Sequence, residues 1–171
     1  DHTSLPPNTQ FNVTNANGTQ TKFFTDANGD VKWVEATSGK KTGGTDDMHG
    51  FNPDLDYPLL GDVQYRVDDR WDFHTNERGQ TDSVTGTPNY GKSDGNHRDD
   101  SGDYAGQNRA RDEGKAAYRG TEYEHVKWAG GHIVANEAGG PGEYVNMFGQ
   151  MNASNSGHYK DGFTNAASWR S

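Results

Sequence analysis

Lys22-Phe23-Phe24-Thr25-Asp26-Ala27-Asn28-Gly29-Asp30-Val31-Lys32-Trp33-Val34 sets two short aromatic and β-branched runs on either side of an Asn-Gly pair. Asn and Gly accept the positive φ that tight hairpin turns need, so the arrangement predicts a β-hairpin. The spacing of Asp26, Asn28 and Asp30 also invites a calcium-loop reading. That loop needs a Gly after the third ligand and a Glu later, and neither is present.

Working outward, Trp71-Asp72-Phe73-His74-Thr75-Asn76-Glu77-Arg78-Gly79-Gln80 runs into Ser83-Val84-Thr85-Gly86 and predicts a second hairpin, with Val63 to Val67 at its start. A shift of 50 residues aligns Phe23 with Phe73, Thr25 with Thr75, Asp26 with Asn76, Gly29 with Gly79 and Val34 with Val84. Two accounts stay open: duplication, or two hairpins that share a turn chemistry by chance.

The remaining chain is read around these hairpins. Residues 1–20, rich in Asn, Thr and Pro, read as a loose arm, and 38–62, with Pro53 and Pro58, as a connecting loop. Residues 86–106 are Gly, Asp, Asn and Ser with few apolars. The stretch from Arg109 to Tyr118 suits a short helix stopped by Gly120. His125-Val126-Lys127-Trp128 reads as a short strand entering Ala129-Gly130-Gly131, and a further helix is expected within Asn152 to Trp169. The expected fold is therefore α+β: an antiparallel sheet of hairpins beside an active-site segment. It comprises an arm over 1–20 and one domain over 21–171, hairpin-rich to 103 and carrying the site from 104 onward.

Composition bounds the rest. Leu, Ile, Val and Phe total 21 of 171 residues and the net charge is −9, a balance usually met in disordered chains. The counterweight is 8 Tyr, 7 Phe and 4 Trp spread along the sequence, which predict a folded but thinly packed core. With no Cys, any metal must be held by oxygen and imidazole, which favours magnesium, calcium or manganese. No run approaches 18 apolar residues and the N-terminus lacks a signal pattern, so neither a membrane span nor a signal peptide is expected, and the start at Asp1 without Met reads as a mature or excised fragment. A nucleic-acid binder usually carries a basic face. Here the cations Arg109, Arg111, Lys115, Arg119 and Lys127 gather in an otherwise acidic chain.

Metal-assisted phosphodiester hydrolysis needs a base for the attacking water and a cation to neutralise charge on phosphate. His serves as a base near neutral pH, and the Asn carbonyl suits a hard cation. Gly130-Gly131-His132-Ile133-Val134-Ala135-Asn136-Glu137-Ala138-Gly139-Gly140-Pro141-Gly142 places His132 after two glycines, which would let phosphate or metal approach the backbone. Asn146, Asn152 and Asn155 follow. Glu137 and Glu143 are read as solvated, and His49, His74, His97 and His158 show no zinc-like spacing.

The segments Gly131-His132-Ile133-Val134-Ala135, Gly139-Gly140, Asn146 to Asn152, and Asn155-Ser156-Gly157-His158-Tyr159 resemble, in order and spacing, the DNA/RNA non-specific endonucleases of the ββα-metal (His-Me finger) group. Thr75-Asn76-Glu77-Arg78-Gly79 is similar to a turn of a bacterial branch. The resemblance implies His132 as general base, Asn155 as the direct protein ligand of hydrated magnesium or manganese, and Asn146 as a supporting residue. It also implies a phosphate contact from Arg109, Arg111 or Arg119, and a ββα-metal motif. Ala129 and Gly130 stand where the family has Asp and Arg, and Phe163 where it has Glu, with Asp161 a substitute from a shifted turn. The function implied is a sequence-non-specific endonuclease acting on DNA and, as a further candidate, RNA. It would be secreted or delivered into a target cell, as a secreted nuclease or effector toxin domain with an immunity protein as partner. The rival is a catalytically inactive, nuclease-like binding or structural module.

Overall fold

The computed structural model describes residues 5–39, 50–90 and 105–152. The first hairpin is strand β2 (Gln20–Thr25) against β3 (Val31–Ala36), and β1 (Gln10–Thr14) pairs antiparallel with β2. The stretch read as a loose arm thus supplies an edge strand. Strands β4 (Gln64–Val67), β5 (Trp71–Thr75) and β6 (Thr81–Gly86) form a second antiparallel unit. Along β5, Trp71, Phe73 and Thr75 are buried while Asp72 and His74 are half-buried, the period-2 alternation of a sheet with one core face.

The two units are built alike down to single hydrogen bonds. In the first turn Asp26 Oδ1 accepts from Asn28 N (2.8 Å) and Asp30 N (3.0 Å). In the second, Asn76 Oδ1 accepts from Arg78 N (2.9 Å) and Gln80 N (3.0 Å). The side-chain oxygen that invited a calcium reading at Asp26 is thus engaged by its own turn. Thr25 Oγ1 donates to Pro6 O (2.6 Å) and accepts from Thr9 N (2.9 Å). Thr75 Oγ1 donates to Leu60 O (2.7 Å) and accepts from Val63 N (3.1 Å). Gly29 and Gly79 have φ of +81° and +74°, and a Cβ at either would collide with the carbonyl of Leu5 or Leu59 respectively. Equivalence therefore reaches beyond the turns into the segments ahead of β1 and β4, making the whole three-stranded unit a structural repeat.

The units join through β3 and β4, which pair in parallel: Trp33 with Gln64, Val34 with Tyr65, Glu35 with Arg66 and Ala36 with Val67. A parallel pair needs a long crossover, supplied by the chain between Ala36 and Gln64. The result is one six-stranded sheet in the order β1 to β6. The core lies on its inner face, where Val34, Tyr65, Val67, Trp71 and Phe73 meet Phe51, Leu55, Leu59 and Val63.

The C-terminal part adds helix α1 (Ala105–Ala117) and a two-stranded ribbon of β7 (Trp128–His132) against β8 (Met147–Met151). Helix and ribbon approach closely because glycines face each other. A Cβ at Gly130 would strike Gln107 O, and one at Gly149 would strike Ala110 O. Ala110, Tyr144, Val145 and Met147 continue the core of the large sheet.

The expected fold class is corrected accordingly. Over the described residues the chain is β-rich, a six-stranded mixed sheet and a small ribbon with one α-helix, and not an α+β antiparallel sheet of hairpins. The antiparallel expectation failed at β3–β4, where the crossover brings the second unit back in the direction of the first. A ββα-metal motif is not shown among the described residues. The helix expected within Asn152 to Trp169 falls, from residue 153 onward, outside them.

Candidate functional site

His132 ends β7, half-buried, with its Nε2 shielded from solvent. In the ribbon it stands opposite Met147, one residue after Asn146. The loop leaving His132 is held by Asn146, which is fully buried. Its Oδ1 accepts from Val134 N (2.8 Å), while its Nδ2 donates to Val134 O (2.9 Å) and Pro141 O (2.8 Å). Its backbone carbonyl accepts from Ile133 N (2.9 Å). One carboxamide thus fixes both ends of the loop from 133 to 141 and so the exit geometry of His132. Gly139, with φ +84°, closes the 3-10 turn Asn136–Ala138 within it.

Gly130 serves a different purpose from the one its sequence position suggests. The space a side chain would need is taken by the Gln107 carbonyl of α1, so Gly130 is a helix-packing glycine. Trp128 at the ribbon's start stacks on Tyr118, with centroids 4.9 Å apart and planes 20° from parallel.

The arginines differ in setting. Arg109 on α1 donates from Nε to Glu113 Oε1 (2.8 Å) and lies 4.1 Å over the Tyr57 ring. Glu113 also accepts from the Tyr144 hydroxyl at 2.9 and 2.8 Å. Burial, and after it this bond, raises the Tyr144 phenol well above its ordinary value. Arg109 therefore belongs to a network tying α1 to Tyr57 and to the chain just ahead of Asn146. Arg111 donates to Asp112 (2.9 Å) and Asn108 (3.0 Å). Arg119 is exposed in the turn that follows α1, near Gly120, whose φ is +79°.

The structure thus brings His132 and Asn146 together and sets Arg109 on the helix packed against their ribbon. Asn155, Asp161, Phe163 and His158 lie outside the described residues, as do His49 and His97. Among the described residues no group of three or more His, Asp or Glu is placed to hold a metal. A metal centre would depend on Asn155, carried by the resemblance alone.

Glu143 overturns the expectation of a solvated carboxylate. It is fully buried, with Oε1 accepting from Gly39 N (2.6 Å) and Asn52 N (3.0 Å), and Oε2 buried without a hydrogen-bond partner among the described residues. Burial pushes its carboxyl up to about 8, against the two backbone N–H groups that favour the charged form. Its place beside Pro141-Gly142 and ahead of the buried run Tyr144-Val145-Asn146 was the available signal. No family model matches the chain, and neither a curated protein nor a solved structure is significantly similar to it. Among the described residues no helix is long and apolar enough to cross a membrane.

Proposed function

We propose that this chain is a metal-dependent, sequence-non-specific endonuclease that hydrolyses phosphodiester bonds of DNA, with RNA as a second substrate. The observation carrying the reading is the segment from Gly131 to Asn146. Its order of residues resembles the non-specific endonucleases, and its His132 leaves a strand into a loop that the buried Asn146 clamps at both ends. A general base must keep one geometry while a proton moves, and such a clamp restricts where the imidazole can point.

In this reading His132 takes the proton of the attacking water, and Asn146 acts as a positioning residue through the loop. A divalent ion held through Asn155 would neutralise the charge developing on the phosphate. Arg119, exposed after α1, is better disposed to meet phosphate than Arg109, which Glu113 and Tyr57 occupy. A secreted or cell-delivered toxin domain with an inhibitor protein as partner is the biological setting proposed.

Incubation of plasmid DNA with the protein and magnesium, with and without a chelator, tests the reading. Nicking or linearisation that the chelator abolishes is the expected result. An absence of cleavage with magnesium, manganese or calcium would favour the inactive binding module, which the acidic net charge of −9 and the engaged Arg109 fit.

A further inference from the structure

The two edges of the six-stranded sheet are repeats of the two strands that meet at its centre. β6 occupies in the second unit the place β3 has in the first, and β1 occupies the place of β4. At the centre those places join, and the residues on the core face are sealed: Val34 and Val67 are 0% exposed and Tyr65 is 1% exposed. At the edges their counterparts are covered only in part or not at all. Val13, equivalent to Val67, is 37% exposed, while Phe11, equivalent to Tyr65, and Val84, equivalent to Val34, are half-buried.

Natural sheets usually guard such edges with Lys, Pro or inward charges. β1 reads Gln-Phe-Asn-Val-Thr and β6 reads Thr-Asp-Ser-Val-Thr-Gly, with neither Lys nor Pro and with Asp82 the sole charge. Among the described residues no strand pairs with the outer side of either.

We propose that copies of this chain associate head to tail, β6 of one copy pairing in parallel with β1 of the next in the register that joins β3 to β4. Transposing that register sets Ser83 opposite Gln10, Val84 opposite Phe11, Thr85 opposite Asn12 and Gly86 opposite Val13. Val84 against Phe11 repeats the apolar pair Val34–Tyr65, and Gly86 against Val13 repeats Ala36–Val67. On the other face, Thr85 and Asn12 replace Glu35 and Arg66 with a neutral polar pair. The contact is heterologous, with each copy offering one edge of each kind, so it grows beyond a dimer as concentration rises. The net charge of −9 opposes approach over long range, so added salt strengthens the association.

Sedimentation over a wide concentration range, at low and at moderate salt, reads the self-association directly. The decisive arm uses two variants that each lose one edge: Val13→Lys for β1 and Val84→Pro for β6, which removes an N–H on the outer side of that strand, with folding checked by circular dichroism. Each alone should remain monomeric, and their mixture should form a 1:1 dimer that grows no further, because one intact β6 meets one intact β1. Hydrogen exchange of the unmodified chain gives an independent reading: amides of 10–14 and 81–86 should gain protection together as concentration rises, with 20–25 unchanged. A chain monomeric under all conditions, an association that persists in either variant alone, or a mixture that fails to dimerise would each overturn the proposal.

Discussion

The unit β1–β3 and the unit β4–β6 share their turns, their threonine anchors and their glycines, yet they differ in what their strands bury. Tyr65, Val67 and Phe73 are sealed in the core, while Val13 lies open and Phe11 and Phe23 are only partly buried. Local chemistry sets the hairpin, and position in the sheet sets its energetic weight. The same residue type at equivalent places should therefore carry unequal stability.

The largest contrast is expected at the paired phenylalanines. Phe73→Ala empties a fully buried site and should cost about 3–5 kcal/mol, whereas Phe23→Ala should cost at most about 2 kcal/mol. Urea unfolding of both variants checks this, and equal losses would break the contrast between a central and a peripheral unit.

A second difference lies where each unit hands over to the C-terminal segment. Gly39 N meets the carboxyl of Glu143, whereas Asn89 N, 50 residues on, meets the carbonyl of Ala138 at 3.0 Å. Only the first contact titrates. With Glu143 raised from 4.5 to about 8 in the folded chain, the native state holds a proton that the unfolded state has lost throughout that window. The associated stability is complete below about pH 4.5 and lost as pH rises to about 8. Glu143→Gln keeps an oxygen for Gly39 and Asn52 and cannot ionise. Denaturation midpoints at pH 5 and pH 8 should converge in that variant, and an unchanged pH dependence would remove Glu143 as the cause.

Smaller and more equal effects are expected where the units are alike. Gly79→Ala and Gly29→Ala force a side chain into positive φ and against a carbonyl, and each should cost about 1–3 kcal/mol. Asn76→Ala and Asp26→Ala remove the oxygen that closes each turn, for about 1 kcal/mol each. Thermal melts of the four variants sharpen the comparison. A loss at Gly79 without one at Gly29 would mean that the segment ahead of β1 is not held as the segment ahead of β4 is.

Much of this sheet was legible because Asn28-Gly29 and the alternation from Trp71 to Thr75 report local geometry directly. The full repeat was not, because a single shift cannot reveal it. Val13 pairs with Thr21, eight residues on, while Val67 pairs with Trp71, four on, so the first strands fall out of the 50-residue alignment. The parallel junction was hidden for another reason: strand direction depends on a crossover, which leaves no periodicity in the strands it joins.

At the candidate site, His132 and Asn146 were singled out through the family resemblance, but Gly130 was misread. A glycine admits a phosphate or a neighbouring helix equally well, and only the packing of α1 tells them apart. Glu143 was missed because a lone Glu after Pro141-Gly142 looks solvated until its neighbours close over it.

The cleavage rate measured against magnesium concentration for His132→Ala and Asn155→Ala tests the proposed function most directly. His132→Ala should lower the rate by roughly 10²-fold to 10⁴-fold at every metal concentration, the range a general base contributes. Asn155→Ala should shift the half-maximal magnesium concentration upward, with part of the rate recovered in excess metal. Rescue of His132→Ala by excess magnesium, together with an Asn155→Ala variant indifferent to it, would contradict the assignment of base and ligand.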